Sequence, residues 1–273
     1  MIIDGRKISE EVLDGLAEEI RSKKLKLRMA AVLVGDDPEF KKFVELKGKA
    51  AERAGISFTM HQFPADIATE ELQKEIDGIS QSSNGVLIEL PLPEHIDSGD
   101  VLNKIPVEKD VDVLSGKAEE LFYSNQSKVL PPAVEATRIV LEKLDIDPKN
   151  KKVAIFGQGQ LIGKPVSHWL QEQGAEVYKI RSTTENPQQY SKKADIVISG
   201  VGKPNLIKGD MIKEGAVVID FGYGKNSDGK MVGDVDFESA SKKSSFITPV
   251  PGGMGPILIV AVLKNLVILN EKH

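Results

Sequence analysis

The chain has no cysteine, one tryptophan and only four histidines in 273 residues. Without cysteine there are no disulfides, no thiolate metal sites and no sulfur nucleophile. His61, His95, His168 and His273 are scattered with no ligand spacing, which argues against a protein-built metal site. Long apolar runs are missing too. The longest strongly apolar stretch, Ile257 to Leu263, is far too short to span a bilayer. The opening residues, MIIDGRKISEEV, lack the apolar core of a signal peptide. Neither charge sign dominates: 36 basic residues against 41 acidic give a net charge of −5, so no basic field draws in nucleic acid. The expectation is a cytoplasmic protein with neither nucleic-acid nor membrane partners.

What is present is ordinary globular composition, 40% hydrophobic and 28% charged, over a length that suits one large or two medium domains. Periodicity predicts a helix over 8–22 with Ser9 as its N-cap, then a buried strand from Met29 to Val34. Gly35-Asp36-Asp37-Pro38 ends that strand and starts a helix reaching Ala54, with Asp37 as N-cap and Gly55 as the stop. A strand from Ile56 to Phe63, a helix from Thr69 to Ser82 and a strand from Gly85 to Leu90 follow. Residues 94–130 read as irregular with short helical pieces, and Pro132 to Leu144 as helical. A second set then alternates strands at 153–156, 175–180, 195–199 and 216–221 with helices at 164–173 and 187–193, before a last apolar helix at 257–270. Strands alternating with helices imply right-handed crossovers and parallel sheets. The fold class is therefore α/β, as two domains: residues 1–135 with 251–273, and residues 136–250 as a Rossmann-type domain with a parallel sheet. A cleft between the domains is expected to hold the ligands, at the carboxyl ends of the strands.

The segment Lys151 to Pro165, KKVAIFGQGQLIGKP, reads as the strand, glycine turn and helix start of a dinucleotide-binding unit. Gly157, Gly159 and Gly163 would let backbone approach a pyrophosphate, and the helix N-terminus offers N–H groups and a positive dipole end. The spacing is GxGxxxG, so the turn taken alone is equally a structural strand-to-helix connection.

Two further features stand out. On the helix from Pro38, the apolar stripe is Phe40, Phe43, Val44, Ala50, Ala51 and Ala54, and Lys47 falls in its middle. A desolvated lysine suits proton transfer unless an acid holds it charged; it also suits a residue that snorkels from the stripe's edge to water. Glu89 stands at the C-terminal end of the apolar strand GVLIEL, placed to pair with Lys47, to bind substrate or to face solvent. A third cluster, Lys109-Asp110-Val111-Asp112, has acids that cap a turn or accept hydrogen bonds from a nitrogen-rich ring.

Over nearly its whole length the chain resembles the bifunctional methylenetetrahydrofolate dehydrogenase/methenyltetrahydrofolate cyclohydrolase family. The carrying segments are VGDDPEFKKFVELKGKAAERAGI, GVLIELPLP, IPVEKDVDV, the glycine turn with GKPV, ADIVISGVGKP, GAVVIDFGYG, GDVDF and TPVPGGMGP. The resemblance implies oxidation of 5,10-methylenetetrahydrofolate to the 5,10-methenyl cation with NADP, followed by hydrolysis to 10-formyltetrahydrofolate. It implies tetrahydrofolate derivatives as partners and a homodimer. Lys47 matches the family's essential lysine and Asp112 its pterin-binding aspartate, with Glu89 beside them as a third catalytic candidate. Phe43, Pro251, Gly252 and Gly253 would bind substrate, and Gly157, Gln158, Gly159, Gly163, Arg181, Ser182, Gly200 and Gly202 the cofactor.

The sequence also departs from the family pattern. Phe43 replaces a tyrosine, Glu89 a glutamine and Gln158 an arginine; PPAV at 131–134 and Ile257-Leu258 differ as well. Glu89 would stabilise an ammonium at Lys47, which bears on the hydrolytic half more than on hydride transfer. A dehydrogenase with weak or lost cyclohydrolase activity, or a non-catalytic folate or nucleotide binder, are the alternatives. At the end of the second strand, Arg181-Ser182 suits a 2′-phosphate and favours NADP, with NAD as the second choice.

Overall fold

The computed structural model describes residues 1–271. His273, and with it the last two positions of the range 251–273, lies outside them. The first half of the chain forms α1 (Gly5–Ser22), β1 (Arg28–Val34), α2 (Pro38–Arg53), β2 (Ser57–Phe63), α3 (Thr69–Ser82), β3 (Gly85–Ile88), α4 (Ser98–Leu102) and α5 (Gly116–Tyr123). The second half forms α6 (Pro132–Lys143), β4 (Lys152–Phe156), α7 (Gly163–Glu172), β5 (Glu176–Ile180), α8 (Gln188–Ser191), β6 (Ile196–Ser199) and β7 (Val217–Asp220). It closes with the short β8 (Gly224–Lys225), β9 (Met231–Val232), α9 (Phe237–Ser241) and β10 (Phe246–Ile247), then α10 (Met254–Leu269). Among the described residues no helix is long and apolar enough to cross a membrane.

Two compact units result. One holds Glu10–Pro132 with the chain from Ile259 onward. Its sheet is three-stranded and parallel in the order β2-β1-β3, with Arg28 opposite Ser57 and Met29 opposite Gly85. The middle strand is buried from Met29 to Val34, which is why it reads as an unbroken apolar run rather than an alternation. Val32, Leu72, Ile76 and Val86 form the centre of its core. The chain passes from β1 to one side and then to the other, so the switch point, where ligand groups collect, lies between β1 and β3.

The other unit holds Met1–Ser9 with Ala133–Leu258. Its five strands are parallel in the order β10-β7-β6-β4-β5, around Ala154, Val197, Ile207 and Val218. Here the switch point lies between β4 and β6. The first residues run parallel to β10: Ile3 N–H donates to Ile247 O at 2.8 Å, and Ile247 N–H to Met1 O at 3.0 Å.

Asp37 caps α2 as expected, accepting from Glu39 N at 2.7 Å and Phe40 N at 3.3 Å. Ser9 is not an N-cap. The first helix begins earlier, at Gly5, where Asp4 Oδ1 accepts from Arg6 N and Lys7 N, both at 3.1 Å. The last helix also begins earlier than the expected residue 257, at Met254. Pro256 falls in its first turn, where a missing N–H costs no intrahelical bond.

Candidate active site

Lys47, Glu89 and Asp112 all belong to the unit of Glu10–Pro132. On α2 the buried face is Val44, Gly48 and Ala51, with Phe43 and Lys47 half-buried at its flank. Gly48 lets the helix settle on β2: a Cβ there would stand 2.8 Å from the Phe58 ring. Glu89 follows β3 directly, and its N–H donates to Val32 O at 2.9 Å, so it sits at the switch point beside β1. Lys47 Nζ donates to Glu89 Oε2 at 2.6 Å, with the two side chains 17% and 12% exposed. This removes both bland readings: Lys47 does not snorkel to water, and Glu89 does not face solvent.

The loop carrying Asp112 runs beside β3, with Asp110 bridged to Val86. Its three charged residues have separate fates. Lys109 Nζ donates to Ser80 O. Asp110 is 1% exposed and its Oδ2 accepts from Leu114 N at 3.0 Å and Ser115 N at 2.7 Å, fixing the turn. Asp112 is held in the field of the ion pair. Burial pushes its carboxyl up to about 7; the Lys47 ammonium opposes that rise, and Asp110 and Glu89 add to it. The site is thus one cation among acids, one of which takes up or releases a proton near neutrality. Asn265, on α10, anchors this loop by donating from Nδ2 to Val111 O and Leu130 O, both at 2.8 Å. Sequence reasoning missed Asn265; the one visible signal is an amide inside the apolar run ILIVAVLKNLVIL.

The dinucleotide candidates all belong to the other unit. Gly157 adopts φ +87°, and a Cβ there would meet Gly200 O at 2.8 Å. A Cβ at Gly163 would stand 2.0 Å from Gly157 O, and one at Gly200 would stand 2.7 Å from the Ile162 side chain. These three glycines therefore pack the loops after β4 and β6 against each other at the switch point. At Gly159 and Gly202 no described residue other than the chain neighbours comes within 4 Å of a Cβ position, so backbone is approachable there. The Gln158 side chain folds back: Nε2 donates to Gly157 O at 2.8 Å and Oε1 accepts from Ser167 Oγ at 3.3 Å. Gly157 N–H donates to Ile180 O at 2.9 Å, which sets exposed Arg181 and Ser182 beside the turn.

Pro251, Gly252 and Gly253 fall in this same unit, and the two glycines have a packing reason of their own. Gly252 takes φ +99° and accepts from Gly5 N at 3.0 Å, and a Cβ at Gly253 would stand 2.4 Å from Pro249 O.

Asp220 and Asp234 form a buried acid pair that the sequence reading left without a role, although both lie in segments that carry the resemblance. Asp220 accepts from Gly222 N at 2.7 Å, Val235 N at 2.9 Å and Asp234 N at 3.2 Å. Burial pushes its carboxyl up to about 7 despite the N–H donors, with the Asp234 charge adding to the rise.

A parallel sheet with a glycine turn at its switch point, and a separate α/β unit bearing a lysine among acids, define the class of dinucleotide-dependent α/β enzymes. The comparisons give the family. Residues 3–112 match the tetrahydrofolate dehydrogenase/cyclohydrolase catalytic domain, and residues 131–273 the NAD(P)-binding domain of the same family. The chain belongs to the tetrahydrofolate dehydrogenase/cyclohydrolase family. It is 42% identical over 271 residues to the bifunctional protein FolD of Moorella thermoacetica, covering 97% of each chain. The crystal structure of the bifunctional dehydrogenase/cyclohydrolase from Campylobacter jejuni superposes with a TM-score of 0.94 at 35% identity, over 98% of this chain and 97% of that one. The Trypanosoma brucei enzyme, solved with NADP cofactor and inhibitor, gives 0.93 at 31% identity over 98% and 96%.

Proposed function

We propose that this protein oxidises 5,10-methylenetetrahydrofolate to the 5,10-methenyl cation and hydrolyses that cation to 10-formyltetrahydrofolate. The observation that carries the reading is the 2.6 Å pair between Lys47 and Glu89 at the end of β3, with Asp112 in its field. We assign the folate chemistry to the unit holding Lys47 and the dinucleotide to the unit holding Gly157. NADP, when bound, supplies the hydride acceptor for the first step. In the second, water oxygen bonds to the methenyl carbon and sheds a proton. The bond from that carbon to N5 then breaks as the hydroxyl proton passes to N5, for a net release of one proton. Lys47 donates a hydrogen bond to the oxygen as charge develops on it, and Glu89 accepts the proton that water sheds. Asp112 accepts from the exocyclic amino group and ring N–H of the pterin, donors that favour its charged form. Phe43, one helical turn before Lys47, offers an apolar ring for stacking.

The residues at the nucleotide site fit the cofactor. Gly159 and Gly202 leave backbone approachable, α7 presents its N-terminus, and Arg181 with Ser182 offers a cation and a hydroxyl beside the turn. We assign NADP over NAD on that last feature. Arg181→Ala is expected to raise the KM for NADP⁺ about tenfold and leave that for NAD⁺ unchanged; equal effects on both would refute the preference. We further propose a cytoplasmic homodimer, on the family resemblance; sedimentation as a monomer at micromolar concentration would overturn the dimer.

The same ion pair favours a second reading. Lys47 Nζ already donates to Glu89 at 2.6 Å, so the two groups occupy each other rather than a water or the substrate, which fits a dehydrogenase with weak hydrolysis. Purified protein with 5,10-methylenetetrahydrofolate and NADP⁺, then NAD⁺, separates the readings. No reduced nucleotide with either would sink the dehydrogenase assignment. Methenyl product decaying only at its spontaneous rate would leave the second reading standing.

A further inference from the structure

We infer that Asp234 is a positioning residue for the dinucleotide: its carboxylate sets the shape of the loop after β6, and through it the glycine turn. The inference rests on the dinucleotide assignment made above. Asp234 is fully buried and accepts three hydrogen bonds from alternate residues of one short segment. Oδ2 takes Ser199 Oγ–H at 2.7 Å and Val201 N–H at 2.6 Å, and Oδ1 takes Lys203 N–H at 2.7 Å. A segment whose donors converge on one anion has its conformation dictated by that anion.

Space for the carboxylate is built in. A Cβ at Gly222 would stand 2.3 Å from Asp234 Cγ, and one at Gly233 would stand 2.0 Å from Asp220 Oδ2. Asp220 in turn fixes the Asp234 backbone through Asp234 N and Val235 N, and is itself tied to Thr248, whose Oγ1 accepts from Asp220 N at 2.8 Å. The held segment is one wall of the switch point. It contains Gly202, at φ +75° with nothing near its Cβ position, and Gly200, which packs on Ile162 just before α7. Gly157 meets the same segment, its Cβ position 2.8 Å from Gly200 O. Displacing Val201 to Lys203 would therefore move both surfaces that backbone presents to a dinucleotide. Asp234 is fully buried and its oxygens are taken up by Ser199, Val201 and Lys203, so it acts through the loop, and its removal should weaken nucleotide binding and spare the folate unit.

The test compares Asp234→Asn and Ser199→Ala with the parent full-length protein. NADP⁺ affinity is titrated directly, and affinity for 5,10-methenyltetrahydrofolate is titrated without nucleotide. Asparagine keeps the volume but must turn an amide N–H toward a donor, so Asp234→Asn should weaken NADP⁺ about tenfold. Ser199→Ala removes one of three donors and should weaken it about threefold. Folate affinity should stay within about twofold in both, a split that general destabilisation would not produce. Unchanged NADP⁺ affinity in Asp234→Asn, or loss of both affinities together, overturns the inference. Should that variant fail to fold, Ser199→Ala decides by the same criteria. A parent that binds neither NADP⁺ nor NAD⁺ overturns the dinucleotide assignment itself and this inference with it.

Discussion

Asp112 and Asp220 are both pushed up to about 7 by burial, yet their surroundings differ in kind. Asp220 is ringed by backbone N–H donors from Gly222, Asp234 and Val235. Asp112 is surrounded by charges, with the Lys47 ammonium attracting a proton's departure and two carboxylates resisting it. A perturbed acid is therefore not enough to mark a reaction site. Partners made of backbone indicate scaffolding, whereas charged side chains gathered at a sheet's switch point indicate chemistry.

The comparison can be broken most sharply at Lys47. Lys47→Ala should lower conversion of methenyl to formyl product by about a hundredfold or more, measured against the spontaneous rate. Hydrolysis near the parent rate would remove the charged cluster from the mechanism. Next come the two acids themselves. Asp220→Asn should cost about 2 kcal/mol in denaturant unfolding, because an amide cannot accept all three N–H groups. Asp112→Asn should cost less than about 1 kcal/mol, since it removes a half-buried carboxyl crowded by two other acids, while weakening folate binding. Equal costs would erase the distinction.

The third prediction concerns pH. Both acids have folded values above the ordinary 3.8, so the folded chain holds more protons than the unfolded chain between about pH 4 and 7. Their contribution to stability is complete below the unfolded value and is lost as pH rises through about 7. Unfolding free energy should thus fall between about pH 4 and 7, and each asparagine variant should flatten the slope. A slope unchanged in both variants would refute the assignment. The smallest effect is at Glu89. Its charge helps hold Asp112 high, so Glu89→Gln should move the acid limb of the folate-binding pH profile down by about half a unit. An unmoved limb would mean that the two acids are not coupled.

Much of this was legible in the residues. The buried strands announce themselves as Val153 to Phe156 and Met29 to Val34, and Lys47 stands out because a helix repeats every 3.6 residues. The Glu89 partnership was one of three readings, because it depends on where α2 lies against β3, a matter of tertiary packing. Asp220 and Asp234 were illegible for a stronger reason. Their meaning resides in N–H groups, and every residue except proline carries one. No side-chain pattern reveals which backbone donors converge on a carboxylate. Ser9 was misread because Asp4, five residues earlier, offers a better acceptor at the true start of α1.

The strand-like pairing of the first residues with β10 has a consequence for biogenesis. Met1 O accepts from Ile247 N, and Gly5 N donates to Gly252 O, so partners more than two hundred positions apart in the chain close one edge of this unit. Their unit cannot be completed until residues 246–252 have been made, and the intervening unit of Glu10–Pro132 has its own sheet to form in the meantime. Until residues 246–252 have been made, residues 1–5 lack these partners and their backbone groups stand open to strands from other chains. Residues 1–5 thus act as a late-closing seam.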